Sequence, residues 1–102
     1  MTLGKYYEIE GDTISAYSCY NRALSDIDKD LSSSKPGDNK YELDLMEKGQ
    51  VLILLNKPDI AHRVLKEALG KESIEVVKRY LNRLMNMSRH ELLYEKAVPE
   101  FI

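Results

Sequence analysis

Lys48-Gly49-Gln50-Val51-Leu52-Ile53-Leu54-Leu55-Asn56-Lys57-Pro58-Asp59-Ile60-Ala61-His62-Arg63-Val64-Leu65-Lys66-Glu67-Ala68-Leu69 carries the clearest structural pattern in this chain. It reads as two helices folded back on each other around a turn at Asn56 to Asp59. Asn56 tolerates the left-handed conformation that closes a helix, and Pro58 suits the first turn of the next one. A second copy of the same unit runs from Leu3 to Leu24. Gly4 and Gly49 each stand twelve residues before an alanine, Ala16 and Ala61. Seven residues beyond each of those stands another alanine, Ala23 and Ala68, followed in both copies by leucine.

The rest of the chain extends this pattern. Leu3 to Ile9 carries Leu3, Tyr6, Tyr7 and Ile9 as an apolar side, and Gly11-Asp12 forms a turn with Asp12 as an N-cap. From Thr13, the positions Ala16, Tyr20, Ala23 and Ile27 recur at three and four, and Tyr17, Leu24 and Leu31 widen the stripe into a long amphipathic helix. Ser32 to Asp38 is a loop by composition. Asn39 and Glu42 resemble a capping box that opens a third helix through Leu43, Leu45, Met46 and the Val51–Leu55 run. The fourth helix carries Ile60, Ala61, Val64, Leu65, Ala68 and Leu69, and Gly70 ends it. Ser73 starts a fifth with Ile74, Val77, Leu81, Leu84 and Met85. Ser88 and Glu91 form another capping box before a short last helix with Leu92, Leu93 and Val98, which Pro99 stops. No strand is expected. The predicted organisation is one domain over residues 1–102, with a first repeat at 1–31, a loop at 32–38, a second repeat at 39–70 and capping helices at 73–98.

Bulk composition narrows the function classes. With 102 residues the core of a single domain is modest. A hydrophobic content of 43% is too high for a disordered chain. The net charge of −2 gives no reason to expect a nucleic-acid or anionic-membrane binder. One cysteine, Cys19, cannot form an internal disulfide, which fits a reducing compartment. No signal peptide is legible and the longest apolar run is too short to span a bilayer. A cytoplasmic protein is therefore expected.

Leu3-Gly4-x-x-Tyr7, followed by Ala16 and Tyr20, resembles the L-G-x-x-Y…A-x-x-x-F pattern of the tetratricopeptide repeat (TPR), a helix–turn–helix unit of about 34 residues. Gly49, Leu52, Ala61 and Leu65 repeat it. The resemblance covers roughly Leu3 to Met85. It implies an all-α fold in which antiparallel helix–turn–helix repeats stack as a short right-handed TPR-like superhelix of five to six helices. The departures are the missing tryptophan, Asp28 and Ser73 in place of the family proline, and a spacing of 45 residues between Gly4 and Gly49. Longer repeats of this sort resemble those of kinesin light chains and bacterial peptide-pheromone receptors.

The resemblance implies a non-enzymatic protein–protein interaction module, adaptor or chaperone-like, that holds a peptide or helix of a partner protein in a concave groove. The groove positions are Lys5 and Glu8 on the first helix, Met46, Gln50 and Ile53 on the third, and Lys78, Asn82 and Met85 on the fifth. Core packing is the competing reading for Met46 and Ile53. Co-chaperone repeats that grip acidic chaperone tails place asparagine where this chain has Lys5 and Glu47, so that ligand is not expected. A structural subunit, docked permanently through its terminal helices, is the alternative. The open side of the first helix, with Met1, Tyr6 and Ile9, would then be a docking or dimer surface, or else merely a frayed end. A nucleic-acid-associated regulator using Lys78, Arg79, Arg83 and Arg89 is the weaker alternative.

Catalytic chemistry is not expected. His62 and His90 lie in no metal-ligand spacing, Cys19 has no neighbouring group to activate it, and the glycines do not cluster into a phosphate loop. No catalytic residue, metal or cofactor is assigned, and neither nucleic acid nor membrane is favoured as a partner.

Overall fold

A computed structural model describes residues 2–35 and 38–94. These form six helices: α1 (Thr2–Ile9), α2 (Thr13–Ser33), α3 (Asn39–Leu54), α4 (Pro58–Lys71), α5 (Glu75–Met85) and α6 (Arg89–Tyr94). Among the described residues there is no strand, so the class is all-α. Each of the first four helices packs on the next in sequence, and α3 also touches α5 and α6.

The two tight turns have the same construction. Gly11 adopts φ 89° and Asn56 φ 62°, the left-handed region that ends a helix. Asp12 N–H donates to the Tyr7 carbonyl at 2.8 Å, and Lys57 N–H donates to the Leu52 carbonyl at 2.9 Å. Gly11 N–H and Asn56 N–H donate to the Glu8 and Ile53 carbonyls in the same way. The turns thus match bond for bond at the 45-residue spacing. The helix starts differ. Asp12 Oδ1 accepts from Ser15 N–H at 3.1 Å, and the Ser15 side chain first and this amide second hold its carboxyl below the usual range, whereas α4 relies on Pro58 in its first turn.

The paired glycines explain how the helices approach. A Cβ on Gly4 would stand 2.6 Å from Tyr20 Cε1, and one on Gly49 would stand 2.4 Å from Leu65 Cδ2. Tyr20, Leu65 and Ala16 are fully buried and Ala61 is nearly so. Large side chains on the second helix of each pair therefore lie against bare backbone on the first.

Four boundaries differ from the expected ones. Gly70 does not end α4: the helix continues to Lys71, and Glu72 N–H caps it by donating to the Leu69 carbonyl. Ser32 and Ser33 belong to α2, not to the loop. The hydroxyls of Ser32, Ser33 and Ser34 donate to carbonyls of Lys29 and Asp30, which satisfies the last turn from within. Asp38, not Asn39, caps α3, its Oδ1 accepting from Lys40 N–H at 3.2 Å. Helix α5 begins at Glu75 rather than Ser73, because Glu72 Oε1 takes the Ser73 and Ile74 amides and turns the chain first. The Ser88–Glu91 box is reciprocal, at 3.1 and 3.2 Å, and fixes the start of α6. The expected roles of Met1, Val98 and Pro99 lie outside the described residues.

Helix α3 is the centre of the core. Asp44, Leu45, Met46 and every residue from Gly49 to Leu55 are buried. Its flank toward α2 is polar: Lys48 pairs with Asp28 at 2.7 Å, and Lys40 bridges Asp44 at 3.2 Å and Asp30 at 3.5 Å. Helix α6 is held chiefly by Leu92, 2% exposed. A fully buried leucine contributes about 1.5–3 kcal/mol, and six residues make no stable helix alone.

Candidate functional site

The expected groove residues divide into two groups. Met46, Gln50 and Ile53 are 2%, 2% and 6% exposed and belong to the core, so they line no open groove. The reason is that α2, α4, α5 and α6 all pack on α3 and cover the part of it that carries these three residues. Gln50 Nε2 donates to the Tyr80 hydroxyl of α5 at 2.7 Å, an internal use of the amide that was expected to meet a ligand. Lys5, Glu8, Lys78 and Met85 are half-buried and Asn82 is exposed. Among these, Glu8 is drawn into a cluster that joins several helices.

That cluster is built around Arg89, the first residue of α6. Its guanidinium forms an ion pair with Glu8 of α1 through Nη1. Its Nε donates to the Leu54 carbonyl at 2.7 Å. Leu54 ends α3, so Arg89 satisfies an orphan carbonyl and sets a positive charge at the negative end of the helix. The guanidinium also lies 5.4 Å from the ring centroid of Tyr17 on α2. The Tyr20 hydroxyl donates to the other Glu8 oxygen at 2.9 Å. Burial, followed by this bond to Glu8, pushes the Tyr20 phenol far above its ordinary value. Burial works against the Arg89 charge, but the Glu8 hydrogen bond and charge outweigh it, so its pKa is raised. Arg89 Nη2 is buried without a hydrogen-bond partner.

By sequence, Arg89 is expected on a basic surface with Lys78, Arg79 and Arg83. The structure turns it inward instead, onto Glu8, the Leu54 carbonyl and the Tyr17 ring. The capping box was legible; the target of Arg89, remote in sequence, was not.

A second surface lies on α1. Leu3, Tyr6 and Ile9 are 58%, 56% and 51% exposed. At the 45-residue spacing their counterparts on α3 are Lys48, Val51 and Leu54. Lys48 is paired to α2, and Val51 and Leu54 are fully buried. The face that is covered on α3 is thus open on α1. Beside it, Leu3, Gly4, Cys19, Arg22, Ala23 and Asp26 line a shallow hollow of about 230 Å³.

His62 and His90 are exposed, the latter with its ring 4.8 Å from that of Tyr94, and Cys19 is half-buried. Among the described residues no three His, Cys, Asp or Glu side chains converge as metal ligands, and no helix is long and apolar enough to cross a membrane. No family model, curated protein or solved structure was found to match this chain.

Proposed function

We propose that this chain is a non-enzymatic protein-interaction module of tetratricopeptide-like build, which docks through the outer face of α1 onto a helix of another protein. The observation that carries the reading is the open Leu3–Tyr6–Ile9 face, set against its covered counterpart on α3. Within the chain α2, an amphipathic helix of 21 residues, packs on α3 and meets that counterpart at Lys48 through the Asp28 pair. The partner helix is therefore of the same kind, with an apolar stripe to meet Leu3 and Tyr6. The matched turns and the Gly4–Tyr20 and Gly49–Leu65 contacts support the repeat reading. The burial of Met46, Gln50 and Ile53 favours edge docking over binding in an open groove.

The test is cross-linking of the native chain in its cell lysate, identification of the linked protein, and titration of that protein with variants. Tyr6→Asp introduces a charge into apolar contact and should weaken binding at least about tenfold. It should melt close to wild type, since Tyr6 already faces solvent. Arg63→Asp, on the exposed face of α4, should change neither. Full-strength binding by Tyr6→Asp removes the edge from the interface. Capture that vanishes in high salt, with nucleic acid recovered instead, would favour the basic face of Lys78, Arg79 and Arg83.

A further inference from the structure

We infer that the seat of α6 is itself a recognition site for helical segments of the form Arg-x-x-Leu, filled here by the chain's own last helix, and that a partner segment of that chemistry enters by displacing α6. This surface is separate from the outer face of α1. The seat has a fixed chemical pattern. Glu8 supplies a carboxylate already oriented by the Tyr20 hydroxyl, Leu54 supplies a helix-terminal carbonyl, and Tyr17 supplies an aromatic face. Those three groups come from α1, α3 and α2, so the seat exists only in the folded chain. They match one guanidinium, with its flat shape and divergent donors, better than an ammonium. Three residues on, one turn along the helix, Leu92 fills the apolar part of the seat.

Two observations make α6 replaceable. It is six residues long with a single fully buried apolar side chain, so its order derives from the seat. Its guanidinium is not saturated, because Nη2 finds no acceptor. A segment that keeps the Arg and Leu and extends further along α3 would bind the same groups and add contacts. Occupancy by α6 then sets the apparent affinity, since only the fraction of molecules with an empty seat can bind.

The test uses the full chain, isotope-labelled for NMR, and a peptide of residues 87–94. In wild type the peptide competes with the tethered α6 and should bind weakly. In Arg89→Ala, α6 should lose its amide protection, and the peptide should bind at least about tenfold tighter than to wild type, shifting the resonances of Glu8, Tyr17 and Leu54. A peptide with alanine in place of its arginine should bind at least about tenfold more weakly than the native peptide. Equal binding of the two peptides, or none to a folded Arg89→Ala, overturns the proposal. Glu8→Gln is the second variant and should also loosen α6. If both variants lose the native spectrum, α6 is an inseparable part of the core and the inference fails. Tyr6→Asp should leave the peptide titration unchanged, so this outcome is read independently of edge docking.

Discussion

Gln50 and Tyr80 join α3 to α5 through a buried 2.7 Å hydrogen bond between amide and phenol. Gln50 is 2% exposed, so water cannot replace the bond if it is lost. Tyr80→Phe should destabilise the fold by about 1–3 kcal/mol, the cost of stranding a buried donor. Pairing it with Gln50→Met should recover much of the loss, because both polar groups then leave together. Urea midpoints of the two single variants and the double variant check this. An additive double variant would mean that the bond contributes nothing.

Helix α3 also reverses an expectation about Met46. A groove residue should accept a charge with little effect on folding, whereas Met46 is buried. Met46→Asp should therefore cost more than about 3 kcal/mol and unfold much of the population, since an unpaired carboxylate cannot remain charged in the core at a modest cost. A circular-dichroism melt within a few degrees of wild type would return Met46 to the surface.

The glycines separate two opposing effects. Gly→Ala within a helix gains roughly 1 kcal/mol from propensity. At Gly70, where an added Cβ meets nothing within 4 Å, that gain should appear as higher stability. At Gly49 the same methyl meets Leu65 at 2.4 Å, and Leu65 is fully buried. Overpacking of about 1–3 kcal/mol should dominate there and give a net loss. Ala61→Leu should lose stability for the same reason. Denaturation midpoints that move the same way at Gly49 and Gly70 would remove the close approach of α3 and α4.

Glu47 gives the pH dependence. Burial first, and then the charge of Asp44, raises its pKa above the ordinary 4.5. The folded chain thus holds this proton more tightly than the unfolded chain does. That contribution to stability is complete below the unfolded value and is lost as pH rises through the folded one. Glu47→Gln should be more stable than wild type at neutral pH, with the advantage vanishing at acid pH. A constant advantage across the titration would show that charge is not its source.

What was legible was local. Gly11, Asn56-Lys57-Pro58 and Ser88-x-x-Glu91 announce their turns because each carries its own backbone solution. The glycine–alanine spacing announced the pairing because close approach needs small residues. The end of α2 was misread because serine usually marks a loop, yet here three hydroxyls close the helix on its own carbonyls. The burial of Met46, Gln50 and Ile53 was illegible for a different reason. It depends on α5 and α6 returning across α3, and no periodicity within α3 records what covers its far side. Arg89 shares that limit: its charge was visible and its destination was not.

The Glu8–Arg89 contact spans nearly the whole described chain, while from α1 to α5 each helix packs on the next and α3 reaches past one helix to α5. Neighbouring helices can dock as they form, but closure of the longest loop must wait for α6. The seal between α1 and α6 should therefore form in the last stage of folding. Its strength should govern how long a molecule stays folded, not how quickly it folds, so weakening it should steepen unfolding rates and leave refolding rates almost untouched.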